Sequence, residues 1–142
     1  MLWRPGRPVR VVAGAIVVAA VTAHLTAQTD VASVCRIQTS ERIVAVGDIH
    51  GAYDRFVAIL RAAGLVDGRA RWVGGRSIPV QTGDVLDRGP ASRRVLDLLR
   101  QLERDAARAG GQVFALLGNH EVMRIVGHWN DVSAGEYAAF RG

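Results

Sequence analysis

Lysine is missing from this 142-residue chain, cysteine occurs once, and aromatic residues make up only 6% of it. Each scarcity closes off a reading. With Cys35 alone there is no intrachain disulfide, and Val34 before it is not the small residue that a lipoprotein signal wants. Without lysine, all the basic charge falls on eighteen arginines, a sign of codon bias more than of function. No basic stripe with interleaved aromatics exists, which argues against a nucleic-acid partner. There is no internal repeat and no low-complexity tract. No apolar run reaches the roughly 20 residues that a spanning helix needs.

What is present suffices for one modest domain with a real core. The formal charge of +5 is inflated by Arg4, Arg7 and Arg10 at the extreme N-terminus; without them fifteen arginines face thirteen acids. That segment reads as a secretory signal over residues 1–27: Met1 to Arg10 is basic, Val11 to Ala23 nearly all apolar, and Thr26-Ala27-Gln28 offers a cleavage point. It implies a secreted or periplasmic protein with no membrane contact after cleavage. An uncleaved segment would instead anchor the chain. Residues 28–40 read as a linker, and a domain portion follows over 41–142.

From Arg42 the pattern alternates. Ile43-Val44-Ala45-Val46 is a short apolar run, expected to be a strand buried on both faces. Tyr53 to Ala63 places Phe56, Val57, Ile59 and Leu60 at helical spacing, with Gly64 as the stop. Leu65 to Gly75, with Trp72, predicts a turn or short hairpin. Ser77 to Thr82 predicts a second strand, at an edge or irregular because of Pro79. A helix is expected from Pro90 in its first turn to about Ala109, with Val95, Leu98, Leu99 and Leu102 inward and a solvated arginine-rich face. Gln112 to Leu117 predicts a third strand, a helical turn follows His120 through Val126, and Ala134 to Phe140 starts another helix. The order implies an α/β fold, a β-α-β-α layered sheet.

Three glycine-bounded acidic loops follow the three strands: Gly47-Asp48-Ile49-His50-Gly51, Gly83 to Gly89, and Gly118-Asn119-His120-Glu121. In an open α/β sheet, that strand-end edge is where ligands bind. Asp48 and His50, two residues apart on extended backbone, can point to the same side and suit Zn, Fe or Mn. Alone, the pair is better read as a polar turn with a satisfied histidine. Asp84 adds a carboxylate at the same edge, and a carboxylate can bridge two cations about 3.5–4 Å apart. Asn119 supplies a neutral amide oxygen. Arg88 can grip phosphate oxygens bidentately, His120 can protonate a leaving oxygen, and Asp87 can fix its tautomer. A surface arginine and a helix cap before Pro90 are the plainer readings of Arg88 and Asp87; His128 is the plain outsider, unmatched to either cluster.

These blocks resemble the GDxHG, GDxxDRG and GNHE signatures of calcineurin-like metallophosphoesterases, specifically the phosphoprotein phosphatase branch. Trp72-Val73-Gly74-Gly75, Val80-Gln81-Thr82, Asn119 to Met123 and Glu136 to Phe140 make the chain most similar to the Shewanella-like phosphatases over roughly Arg42 to Phe140. The resemblance implies a layered α-β-β-α fold, of which only the N-terminal β-α-β-α-β half is present, and two divalent or trivalent metal ions (Mn, Fe or Zn). It implies that Asp48, His50 and Asp84 hold the first metal, that Asp84 bridges, and that Asn119 binds the second. It assigns substrate phosphate to Arg88, Asn119 and His120, and the proton-donating pair to His120 and Asp87; Glu121 is expected to support the loop. The implied reaction is one-step hydrolysis of a phosphorylated peptide or small phosphoester, with metal-bound hydroxide attacking in line.

Family members complete the second metal with two histidines far beyond GNHE. Only four histidines occur here, and His24 and His128 match neither position. The chain is therefore expected to be the N-terminal part of a longer enzyme, inactive by itself. The alternatives are a dinucleoside tetraphosphate hydrolase, which shares all three blocks, and a non-catalytic remnant that binds metal or phosphate.

Overall fold

The computed structural model describes residues 36–141. The expected leader, His24, Cys35 and most of the expected linker lie outside them. The chain divides after Thr39, and the elements below all belong to the unit Ser40–Gly142.

Seven elements alternate in that unit: β1 Ile43–Val46, α1 Tyr53–Ala62, β2 Ile78–Gln81, α2 Ser92–Arg108, β3 Phe114–Ala115, α3 Asn119–Ile125 and α4 Ala134–Phe140. The strands form one parallel sheet in the order β1-β2-β3, with Ile43 opposite Ile78 and Val80 opposite Phe114. Because all three run the same way, their C-terminal ends meet at one edge. That edge carries the three acidic loops.

The core sits between the sheet and the first two helices. Phe56 and Leu60 of α1 and Val95, Leu98, Leu99, Leu102 and Ala106 of α2 are buried, spaced at three and four residues as an amphipathic helix requires. All but Ala106 pack with Val46, Ile49, Leu65, Val66 and Val85 in one cluster. Gly64 and Gly110 follow the two helices at φ +67° and +79°, the left-handed stop that glycine adopts without penalty. The predicted hairpin is a short turn closed by an antiparallel bridge between Val66 and Trp72. Within it the Asp67 carboxylate accepts from the backbone of Arg69 and Arg71 and from Arg71 Nε. Those bonds, the Arg71 backbone foremost, hold its pKa down to about 2.

Four expectations need correction. β1 is not buried on both faces: Val46 is covered, but Ile43 is 58% exposed. Side chains alternate along a strand, and among the described residues no helix packs on the side that carries Ile43 and Ala45. β2 is the central strand, not an edge, in spite of Pro79. Ile78 and Thr82 donate to Arg42 and Val46 beside β1, so alternation turns Pro79 toward β3, whose pairing starts only at Val80. The missing proline N–H thus spares the pairing with β1 and limits the one with β3. Pro90 lies ahead of α2 rather than in its first turn, because the cap is Ala91. The third strand is paired over Phe114–Ala115 alone, since β2 offers partners only between Pro79 and the turn at Gly83. Among the described residues no helix is long and apolar enough to cross a membrane.

Candidate metal and phosphate site

The loop after β1 is laced to the loop after β2 first through the backbone. Ile49 and His50 both donate to the Asp84 carbonyl (2.9 and 3.0 Å), and Gly51 donates to Val85 (2.9 Å). The approach leaves no room for a side chain at Gly51, where a Cβ would strike the Gly89 carbonyl. The backbone is unusual here. His50, Asp84, Asp87 and Arg88 all have positive φ, between +47° and +69°. Non-glycine residues held in that region concentrate at sites where geometry matters more than local stability.

The loop after β3 is tied in through Glu121, at the third position of α3. Its carboxylate accepts from the backbone N–H of Asp84 (2.7 Å), Val85 (2.9 Å), Leu86 (3.1 Å) and Gly118 (2.8 Å). Burial pushes the Glu121 carboxyl up, but the bonds from Gly118, Leu86, Asp84 and Val85 more than offset it, so the group titrates below its ordinary range. Sequence reasoning assigned Glu121 to loop support, and four accepted bonds are what that support consists of. In return the His120 N–H donates to Asp84 Oδ1 at 2.9 Å.

These ties bring most of the expected residues together. Donor atoms of Asp48, His50 and Asp84 lie within 4.8 Å of one another. His50 donates from Nδ1 to the Leu86 carbonyl (2.9 Å), which leaves Nε2 bearing its lone pair toward Asp48 Oδ2, 3.8 Å away. His120 is buried and bonds through Nδ1 to Asp87 Oδ2 at 2.7 Å, with Asp87 fully buried. Its Nε2 also faces the site. Arg88 spans the two imidazoles, donating from Nη1 to His50 Nε2 (3.0 Å) and from Nη2 to His120 Nε2 (3.1 Å). The rings stand edge to face with centroids 4.6 Å apart. Asn119 opens α3 beside His120, exposed, with its amide nitrogen 3.8 Å from Met123 sulfur. His128 is exposed in the segment after α3 and lies apart from the Asp48–His50–Asp84 cluster.

The donor set suits a divalent or trivalent metal on its chemistry. Two carboxylates and an imidazole converge, and a carbonyl fixes the histidine tautomer from behind, as metal-binding histidines require. Two further residues, the buried Glu136 and the partly buried Arg124, join the site without a motif to mark them. Arg124, one turn after His120, lies 3.2 Å from Asp87 Oδ2, and Glu136 accepts the Asp87 N–H at 3.1 Å. For Arg124 the signal was its i+4 relation to His120. For Glu136 it was the capping pattern: Ser133 caps α4 by accepting the N–H of Glu136.

A parallel sheet whose strand ends gather two aspartates, a histidine and an arginine–histidine pair is equipped to hold a metal beside a phosphate. The chain belongs to the calcineurin-like phosphoesterase family, whose pattern matches residues 41–141. It is 44% identical over 98 residues to Shewanella-like protein phosphatase 2 of Arabidopsis thaliana, covering 69% of this chain and 25% of that protein. A symmetrical bis(5'-nucleosyl)-tetraphosphatase of Cronobacter sakazakii is 36% identical over 78 residues, 54% of this chain and 22% of that protein. Among solved structures, a cold-active protein-tyrosine phosphatase of a psychrophilic Shewanella superposes with a TM-score of 0.64 at 32% identity, over 75% of this chain and 34% of that one. The chain thus spans about a quarter to a third of the relatives it matches, and its sheet and helices match part of the metallophosphoesterase fold.

Proposed function

We propose that this chain carries the metal- and phosphate-binding part of a phosphoprotein-phosphatase-type hydrolase of phosphate monoesters. The observation that supports it most is the convergence of three sequence-distant loops, with Asp48, His50 and Asp84 facing one point and Arg88 and His120 flanking it. On this reading Asp48, His50 and Asp84 would hold one metal, and Asp84 with Asn119 would serve a second. Metals in such a site polarise the phosphoryl oxygens and lower the pKa of a bound water; Mn, Fe and Zn all accept this donor set. Arg88, at the open edge, takes the phosphate oxygens in a bidentate grip. His120 turns Nε2 toward the substrate; once that nitrogen has taken up a proton and Arg88 has turned to the phosphate, it hands the proton to the departing oxygen and returns to the neutral Nδ1–H form that Asp87 holds.

The substrate class proposed is a phosphopeptide or small aryl phosphate, supported by likeness to protein phosphatases over more of the chain than to the nucleotide hydrolase. The basic and then apolar N-terminus supports export, which fits an extracytoplasmic phosphoester better than a signalling nucleotide. The test is turnover by the protein expressed from its complete reading frame. With Mn²⁺ it should hydrolyse p-nitrophenyl phosphate and a tyrosine-phosphorylated peptide faster than diadenosine tetraphosphate. His120→Asn should slow alkyl phosphates far more than aryl phosphates. An equal loss on both rejects the acid role, and preferential nucleotide cleavage transfers the protein to the second class.

A further inference from the structure

We propose that Arg124 is a positioning residue: its charge holds the Asp87 carboxylate on His120 Nδ1 and so keeps the His120 ring with Nε2 turned into the site. The inference rests on the phosphatase reading for its purpose, but its geometry stands apart from the metal cluster.

Asp87 is fully buried, at φ +69° in a loop where the next residue is also left-handed. A buried carboxylate needs a partner, and the neutral His120 imidazole supplies one hydrogen bond but no charge. Its second oxygen, Oδ1, has no hydrogen-bond partner. The positive charge comes from Arg124. The guanidinium is nearly buried, sits 3.2 Å from the same Oδ2 that receives His120, and stacks over Trp129 at 5.3 Å. Its nitrogens make no aligned hydrogen bond, so what it offers Asp87 is charge at short range rather than a directed donor.

The helix makes this possible. Arg124 lies four residues after His120 on α3, so both side chains leave the same face and meet Asp87 together. From the other side, Glu136 of α4 accepts the Asp87 N–H, and the Asp131 carbonyl accepts the Arg88 N–H (3.0 Å). Backbone bonds thus place the main chain of Asp87, and only Arg124 and His120 act on its side chain. Without the cation, the buried carboxylate is left with an uncharged partner among Leu86, Leu96, Val132 and Phe140, with the Glu136 carboxylate in the same lining. It then turns toward water, and of the two bonds that fix the His120 tautomer only the one from Arg88 Nη2 remains.

The experiment is nitrogen-15 NMR of the His120 ring, at a pH where free imidazole is neutral, in a chain carrying Arg88→Met, which frees Nε2 of its other partner, alone and combined with Arg124→Met or Arg124→Lys. The Arg88→Met chain should show one tautomer, with the proton on Nδ1. In that chain Arg124→Met should lose the single-tautomer signature to an exchanging mixture, and Arg124→Lys should retain it because the charge is kept. A locked Nδ1–H tautomer in Arg124→Met overturns the proposal, and so does loss of the lock in a folded Arg124→Lys. Should Arg124→Met fail to fold, Arg124→Lys decides alone. In the protein from the complete reading frame, Arg124→Met should lower kcat for alkyl phosphates about tenfold more than for aryl phosphates, with KM unchanged, and Arg124→Lys should restore it. If wild type hydrolyses no phosphoester, the functional reading fails while the tautomer result still judges Arg124.

Discussion

The Glu121 carboxylate accepts the Asp84 backbone N–H at 2.7 Å, joining the start of α3 to the residue at the centre of the metal cluster. With three further backbone donors on the same carboxylate, this is the knot between the second and third loops. Glu121→Gln puts an NH₂ donor among these N–H groups and removes the charge. The expected cost is about 2 kcal/mol or more, read by urea unfolding at neutral pH.

The same carboxylate sets a pH window. Its folded pKa lies below the ordinary value of 4.5, so its stabilisation is fully present above that value and is lost as pH falls through the folded pKa. Wild type should therefore lose stability relative to Glu121→Gln as the solution is acidified below about pH 4.5. A constant difference between the two down to acid pH contradicts the assignment.

Gly118→Ala tests the contact of the loops directly. A Cβ there would collide with the Asp84 carboxylate and backbone nitrogen. The neighbours are backbone and a side chain already committed to His120, so they have no room to yield. We expect about 2 kcal/mol or more of destabilisation by chemical unfolding and a weakened metal site. Wild-type stability with intact metal binding would show that the loops stand further apart.

Much of this was legible in the chain. Asp48, His50 and Asp84 announced themselves because glycines flank them at the ends of apolar runs, and Ile43–Val46 and Ala134–Phe140 fell where periodicity placed them. What sequence could not carry was the tertiary setting. Pro79 reads as an edge residue, yet it sits in the central strand because parallel pairing alternates sides. Ile43 reads as buried on both sides, although burial depends on what covers the sheet. Arg124 and Glu136 look like ordinary helix-surface charges until Asp87 is found beneath them.

On the proposed reading Arg88 would link metal to phosphate, in a way that can be measured. Its guanidinium donates to His50 Nε2, the lone pair that a metal requires. Arg88→Met should therefore bind Mn²⁺ several-fold more tightly than wild type while binding inorganic phosphate more weakly. Isothermal titration of each ligand reads both effects. Weaker Mn²⁺ binding in the variant would show that Arg88 supports the metal cluster instead of competing for His50.

The central claim is that three loops build one metal site from Asp48, His50 and Asp84. Titration of Mn²⁺ into the chain, followed by electron paramagnetic resonance, tests it most directly. The account predicts a saturable site in wild type, weakened at least about tenfold by His50→Ala and by Asp84→Asn, with the fold retained by circular dichroism. Wild-type affinity in both folded variants, or no saturable site in the wild-type chain, would contradict it.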